Sequence, residues 1–151
     1  MTNPEPARSR QQRRQDTMGR LEQDVDCWVA TAGADGEPCL VPLSFVWHEG
    51  SVVICTRRTN PTGANLVRAG RARVTLGHTR DVVLIEGEGE QLTGDSRTAA
   101  ADAFAAKLTW DPRAEKGYVY LRITPKAVQA WREVNEIAGR DLMRDGTWLD
   151  D

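Results

Sequence analysis

From Cys27 onward the chain alternates short apolar runs with compact turn signals. CWVATA (27–32), CLVPLSFVW (39–47) and VVICT (52–56) are rich in β-branched and aromatic residues, and ADGEP and HEGS separate them. Asp35-Gly36 and Glu49-Gly50 supply residues that tolerate positive φ, so two successive hairpins are predicted. Residues 61–69, PTGANLVRA, change to helical spacing: Pro61 suits a first helical position and Gly70 a stop. Two more strands follow in ARVTLG (72–77) and VVLIEGEGEQL (82–92), joined at HTRD. In the second, Glu86, Glu88 and Glu90 alternate with Gly87, Gly89 and Gln91, and glycine there allows either close backbone approach or a bend in a closed sheet.

The alanine-rich DSRTAAADAFAAKL (95–108) predicts a helix with Asp95 as N-cap, ending before Trp110-Asp111-Pro112. GYVYLRI (117–123) and AVQAW (127–131) read as two strands, and the remainder as a tail anchored by Leu142 and Trp148. The pattern as a whole is mainly β: about six strands, mostly in hairpin order, with helices at their ends. A small antiparallel barrel satisfies it without leaving sheet edges exposed.

At 151 residues the chain has the length of one domain with its own core. Residues 1–24 read as a basic N-terminal tail and helix, and 25–151 as the barrel. Within residues 1–20, Arg8, Arg10, Arg13, Arg14 and Arg20 stand against Glu5 and Asp16, with few apolar side chains. A solvated helical face is expected, since no aromatic residue is interleaved to stack on bases. Twenty basic residues against 22 acidic ones give a net charge of -2, so neither nucleic acid nor an anionic membrane is an expected partner. Cys27, Cys39 and Cys55 form no CxxC pair, which fits a reduced cytoplasmic protein. The longest apolar runs are far too short to cross a bilayer as a helix.

Candidate chemistry concentrates in CTRRTNPTGANL (55–66). Arg57 and Arg58 end a strand where a helix begins, and Thr62, Asn65 and the free first-turn N–H groups add donors, which together suit an anion. A solvated strand end and ordinary capping residues are the alternative. Arg80 lies in a turn, where it is either turn chemistry or a second charge near a ligand. Trp47 and Trp131 are expected in the core or an interface. His48 and His78 each precede a turn, no metal-ligand spacing is present, and no nucleophile elbow appears, so neither a metal site nor a catalytic side chain is assigned.

The strings ATAGADGEPCLVPLSFVWHEGSVVICT, NPTGANLVRAGRARVTLG, TRDVVLIEGEGE and RITPKAVQAWREVNEIAGRDLMRDGTWL, in this order and spacing, resemble the pyridoxamine 5'-phosphate oxidase-like superfamily of flavin-binding split barrels. Within it they are most similar to the actinobacterial flavin- and deazaflavin-dependent oxidoreductases. The resemblance implies a six-stranded antiparallel split barrel and a homodimer with FMN or deazaflavin coenzyme F-420 between subunits. It implies that Pro42, Leu43 and Ser44 border the ring, with Cys55 and Thr56 or their neighbours on the third strand. Which parity of that strand faces the ring is left open. Arg57, Arg58, Thr62, Asn65 and Arg80 are the implied contacts to the charged parts of the cofactor, and Arg68, Arg71 and Arg73 would suit an acidic deazaflavin tail if they line the groove outlet.

The chain also departs from this family. Pro61-Thr62 and Ala64 stand where related members carry cations, and the C-terminal Arg-Leu-x-Pro of true pyridoxamine phosphate oxidation is missing. The implied activity is hydride transfer between the cofactor and a small organic substrate. The alternative is a non-catalytic split-barrel protein that binds, stores or senses flavin, deazaflavin or haem.

Overall fold

In the computed structural model, which describes residues 5–150, six antiparallel strands close into a barrel. β1 (Asp26–Ala32), β2 (Pro38–His48), β3 (Ser51–Arg57), β4 (Arg71–Leu76), β5 (Val82–Gln91) and β6 (Tyr118–Trp131) pair in the cycle β1–β2–β3–β6–β5–β4 and back to β1. Three helices flank them: α1 (Arg10–Gln23), α2 (Pro61–Ala69) and α3 (Gly94–Leu108). The expected barrel and the bounds of α2 are found. Gly70 ends α2 in the left-handed conformation at φ 67°, its N–H bonded to the carbonyl of Leu66.

Three details of the later strands and of α3 differ from expectation. The two strands foreseen in GYVYLRI and AVQAW are one strand of 14 residues, running through Pro125 at a bulge opposite Glu86/Gly87, where proline's missing donor costs nothing. The C-terminal tail folds back as a hairpin of β7 (Asp141–Arg144) and β8 (Thr147–Trp148), turning at Asp145-Gly146 with φ 51° and 77°. The N-cap of α3 is Thr93, and Asp95 sits in the first turn, where it complements the helix dipole.

The barrel interior is filled by Val29, Phe45, Val52, Ile54, Val74, Ile85, Leu121 and Ile123, with Leu66 from α2 and Leu21 from α1. Each such fully buried aliphatic or aromatic side chain is worth about 1.5–3 kcal/mol in transfer terms. A second core lies outside the barrel, where Val53, Cys55 and Tyr120 pack under Ala100, Ala101 and Phe104 of α3. β3 is therefore buried on both faces, the physical reason its apolar run is continuous rather than alternating. On β5 the glycines point inward: a Cβ on Gly87 would come within 2.6 Å of Ile123 Cγ2 and 2.8 Å of the Thr124 carbonyl, and one on Gly89 within 2.5 Å of Leu66 Cδ2. Glu86, Glu88 and Glu90 point outward, each beside a cation, Arg73, Lys126 and Arg122 respectively.

The basic N-terminal helix is not the solvated face that its composition suggests. Arg13, Thr17 and Leu21, spaced four apart, are 4%, 1% and 0% exposed. Arg13 donates to the carbonyls of Ala130, Glu136 and Gly139 at 3.2, 2.8 and 3.2 Å. Arg8 grips Glu136 through Nε at 3.0 Å and Nη2 at 2.8 Å, and Asp16 through Nη1 at 3.0 Å. This network ties the N-terminal segment to the loop that follows β6.

One seam of the barrel stays open. β2 pairs with β3 only from Phe45 to His48, against Ile54 to Ser51. Its first half, Pro38 to Ser44, pairs with β1 alone, while Cys55 to Arg57 of β3 pair with β6 alone. α2 wedges into the gap from one side, with Thr62 Oγ1 3.7 Å from the Cys39 thiol.

Candidate functional site

The open seam continues as a cleft of about 290 Å3 lined by Pro42, Leu43, Ser44, Cys55, Thr56, Asn60, Phe104, Trp110 and Tyr118. Because β2 and β3 diverge here, the cleft runs along two strand edges, and residues of both parities reach it. Leu43 belongs to the barrel interior and Cys55 to the second core, yet both line the same opening. The question of which face of β3 meets the cleft therefore has a simple answer: its edge does.

Of the residues proposed from sequence, Pro42, Leu43, Ser44, Cys55 and Thr56 are brought together in this cleft. The hydroxyl of Ser44 donates to Asp26 at 2.9 Å. The Cys55 thiol is pushed up to about 12, chiefly by burial, so it stays protonated and is no nucleophile. Arg57 reaches the cleft's wall, its guanidinium 5.2 Å from the centre of the Tyr118 ring, within cation–π range. The side chain of Arg58 is exposed. The first turn of α2 presses onto this strand end so closely that a Cβ on Gly63 would lie 2.8 Å from the Arg57 carbonyl, which only glycine tolerates.

Thr62, Asn65 and Arg80 lie elsewhere. Thr62 and Asn65 are 2% and 9% exposed and turn towards the barrel: the Asn65 amide donates to Thr31 Oγ1 of β1 at 3.1 Å, and Thr62 meets Cys39 of β2. Arg80 sits in the β4–β5 turn, 83% exposed, with Nη1 3.9 Å from Glu133.

The sequence reading missed the aromatic wall. Phe104, Trp110 and Tyr118 form consecutive tilted or edge-on contacts, with centroids 6.0 Å apart for the first pair and 5.8 Å for the second. The available signal was the pairing of Arg57 with Tyr118, a barrel register that is invisible until β3 and β6 are known to be neighbours. Asn60 was also missed as a lining residue; its amide donates to Thr56 Oγ1 at 3.1 Å, holding the strand end against the start of α2.

Arg68, Arg71 and Arg73 do come together, but in a different groove of about 620 Å3 beside Ala30, Ala32 and Lys126. Among the described residues no group of three or more His, Cys, Asp or Glu converges as a metal site, and no helix is long and apolar enough to cross a membrane.

Comparison with known proteins agrees with this architecture. Solved structures with the same fold include a heme binding protein from Mycobacterium smegmatis (20% identity, TM-score 0.63), covering 93% of this chain and 58% of that one. They also include an FAD-binding protein from Mesorhizobium loti (18% identity, TM-score 0.64, 78% and 90% of the two chains). An F-420 reductase superposes with 15% identity and a TM-score of 0.60, over 73% of this chain and 93% of its own. No curated protein matches the sequence. At these identities the structural likeness is one of fold. The sequence model described as pyridoxamine 5'-phosphate oxidase, however, matches residues 18–132, the barrel together with the end of α1, and the chain thus belongs to the pyridoxamine 5'-phosphate oxidase family.

Proposed function

We propose that a flavin-type cofactor, FMN or deazaflavin F-420, binds in the cleft at the interface of a homodimer. The protein in this reading is an oxidoreductase that passes a hydride between this cofactor and a small organic substrate. The observation that carries the reading is the open seam itself. Two strand edges face a cleft: Pro42–Ser44 pair with β1 and Cys55–Arg57 with β6 on their far sides, and neither pairs with a strand on the side facing the other. Unpaired N–H and C=O groups next to a partly apolar, aromatic wall suit a planar heterocycle that carries donors and acceptors along its rim. Arg57 and Arg58, together with the first-turn N–H groups of α2, fit the phosphate at one end. The chain's own opening, about 290 Å3, lies at the lower end of the roughly 300–1,000 Å3 typical of small-molecule sites, so a second copy supplies the remaining wall.

The cofactor, when bound, supplies the hydride chemistry. Residues of the chain bind and orient it: the strand edges hold the ring, Tyr118 and Trp110 exclude water from one side, and Arg57 balances the charge at the mouth. The protonated Cys55 contributes bulk and no acid–base step.

The test is titration of the purified protein with FMN and with F-420, followed by absorbance. Saturable micromolar binding of one of them is expected. Replacing Arg57 and Arg58 together with alanine weakens it at least tenfold, about 1.4 kcal/mol or more. Absence of binding by both cofactors refutes the reading. A second reading, a protein that binds flavin, deazaflavin or haem without turnover, is favoured by the inward turn of Thr62 and Asn65, which leaves fewer donors at the phosphate end. A Soret band, or tight cofactor binding without oxidation of the reduced form by any of a panel of enones and quinones, selects it.

A further inference from the structure

We infer that the groove at the other end of α2 is a second ligand site, for a small dianion of the dicarboxylate or phosphate type. It is bounded by the end of β1, the last turn of α2, the start of β4 and the bulge of β5 with β6. Four cations reach it, Arg68, Arg71, Arg73 and Lys126, against two carboxylates, Glu86 and Glu88. The carboxylates are already engaged, Glu86 with Arg73 at 2.7 Å and Glu88 with Lys126 at 3.9 Å. The uncompensated pair is therefore Arg68 and Arg71.

These two arginines differ in a useful way. Arg68 is held across the groove, its Nη2 donating to the Ala32 carbonyl at 2.7 Å, which fixes the guanidinium against β1 while engaging only one of its donors. Arg71 is exposed and makes no ion pair among the described residues, although its cross-strand neighbour is Glu88. One preset and one free guanidinium flank a concavity that also exposes alanines 30, 32 and 69.

The volume, about 620 Å3, is that of a small-molecule site. A surplus of two positive charges in a chain whose net charge is -2 is a local feature that draws in an anion. Two charges to neutralise, with guanidinium forks to meet them, define a dianion whose groups each accept paired hydrogen bonds. Glu86 and Glu88 on the opposite rim confine it to the α2 side. The nine residues of α2 span about 13.5 Å, which separates this site from the anion end of the cleft at Pro61. The inference stands whether or not a flavin occupies the cleft.

Isothermal titration calorimetry of the full chain at pH 8 and low salt, with inorganic phosphate and separately with succinate, tests it. Sodium chloride at equal ionic strength is the control. One-to-one binding of at least one dianion is expected, and the two arms tell phosphate from dicarboxylate. Arg71→Gln, at an exposed and unpaired position, weakens that binding at least tenfold, and Arg68→Gln/Arg71→Gln abolishes it. Arg57→Ala/Arg58→Ala leaves it unchanged. Saturable binding of neither dianion overturns the inference, as does equal binding by the folded Arg71→Gln variant. Loss of binding in the Arg57→Ala/Arg58→Ala variant also overturns it, by moving the anion to the cleft.

Discussion

Replacing Glu136 with glutamine probes how firmly the N-terminal segment is built into the fold. The Glu136 side chain is 4% exposed and accepts from the backbone N–H of Arg8 at 2.8 Å, from Arg8 Nε at 3.0 Å and Nη2 at 2.8 Å, and from the Arg132 N–H at 2.8 Å. The Arg8 guanidinium is the main reason that its carboxyl falls from 4.5 to about 2, with the two backbone donors helping and burial opposing. That depression corresponds to about 3 kcal/mol of stability at neutral pH. Glutamine keeps the shape but turns an amide NH2 towards donors, so Glu136→Gln should cost about 3 kcal/mol, or roughly 6–12 °C in Tm for a domain of this size. A folded pKa lowered below the unfolded one gives stability that is complete above about 4.5 and disappears as pH falls towards 2. The gap between wild type and variant, measured by urea unfolding, should therefore be full at pH 7 and less than half as large at pH 3. A gap under about 0.5 kcal/mol at pH 7, or one of equal size at both pH values, would refute the assignment of a buried, charge-assisted clamp.

Two other substitutions separate backbone crowding from polar satisfaction. Gly87→Ala places a Cβ 2.8 Å from the Thr124 carbonyl at the β5–β6 bulge, where backbone must move, and should lower stability by about 1–3 kcal/mol in urea; wild-type stability would show that the bulge gives way. Tyr120 is fully buried and its Oη, with the Cys55 thiol nearby, has no partner in good hydrogen-bonding geometry among the described residues, so Tyr120→Phe should leave stability unchanged or raise it by up to about 1 kcal/mol, and a comparable loss would reveal a bond from the hydroxyl.

How much of this was legible in the sequence depends on which force sets each feature. α2 was readable to the residue because its signals are local: proline at the start and a left-handed glycine at the end. The hairpins of β1 to β3 were readable for the same reason. Thr124-Pro125-Lys126 looked like a break, since proline cannot donate to a ladder; only the bulge, a property of the pairing with β5, makes it acceptable. The docking of α1 was hidden because its buried stripe begins with Arg13, whose burial is stabilised by carbonyls of β6 and the loop after it, 117 to 126 residues away. No hydropathy scale registers such a contact. Within the cleft, the strand residues Pro42 to Ser44 and Cys55 to Thr56 could be gathered from the family pattern. Phe104, Trp110 and Tyr118 could not, because their meeting depends on how α3 lies against the barrel. Thr62 and Asn65 show a different limit: polar residues at a helix start look available to a ligand, and only the fold reveals that their side chains meet Cys39 of β2 and Thr31 of β1.

The seam itself raises the energetic question behind the functional reading. Closure of a six-stranded barrel would pair every strand edge, and each unpaired backbone group kept from water costs on the order of 1–3 kcal/mol. The chain nevertheless holds β2 and β3 apart, over Pro38–Ser44 on one strand and Cys55–Arg57 on the other, and it does so with dedicated parts. α2 meets β2 through Thr62 and Cys39, Gly63 lets its first turn rest on the Arg57 carbonyl, Asn60 ties that turn back to Thr56, and Asn65 anchors the helix to Thr31 of β1. An opening kept apart in this way is tolerable only while something hydrogen-bonds to its edges. Water can do so in an open cleft; a planar ligand with donors and acceptors on its rim does so while also covering Trp110, which is 40% exposed. The features that keep the barrel from closing are thus the same ones that would shape a ligand site, and they lie in the packing of α2 rather than in the two arginines that first draw the eye.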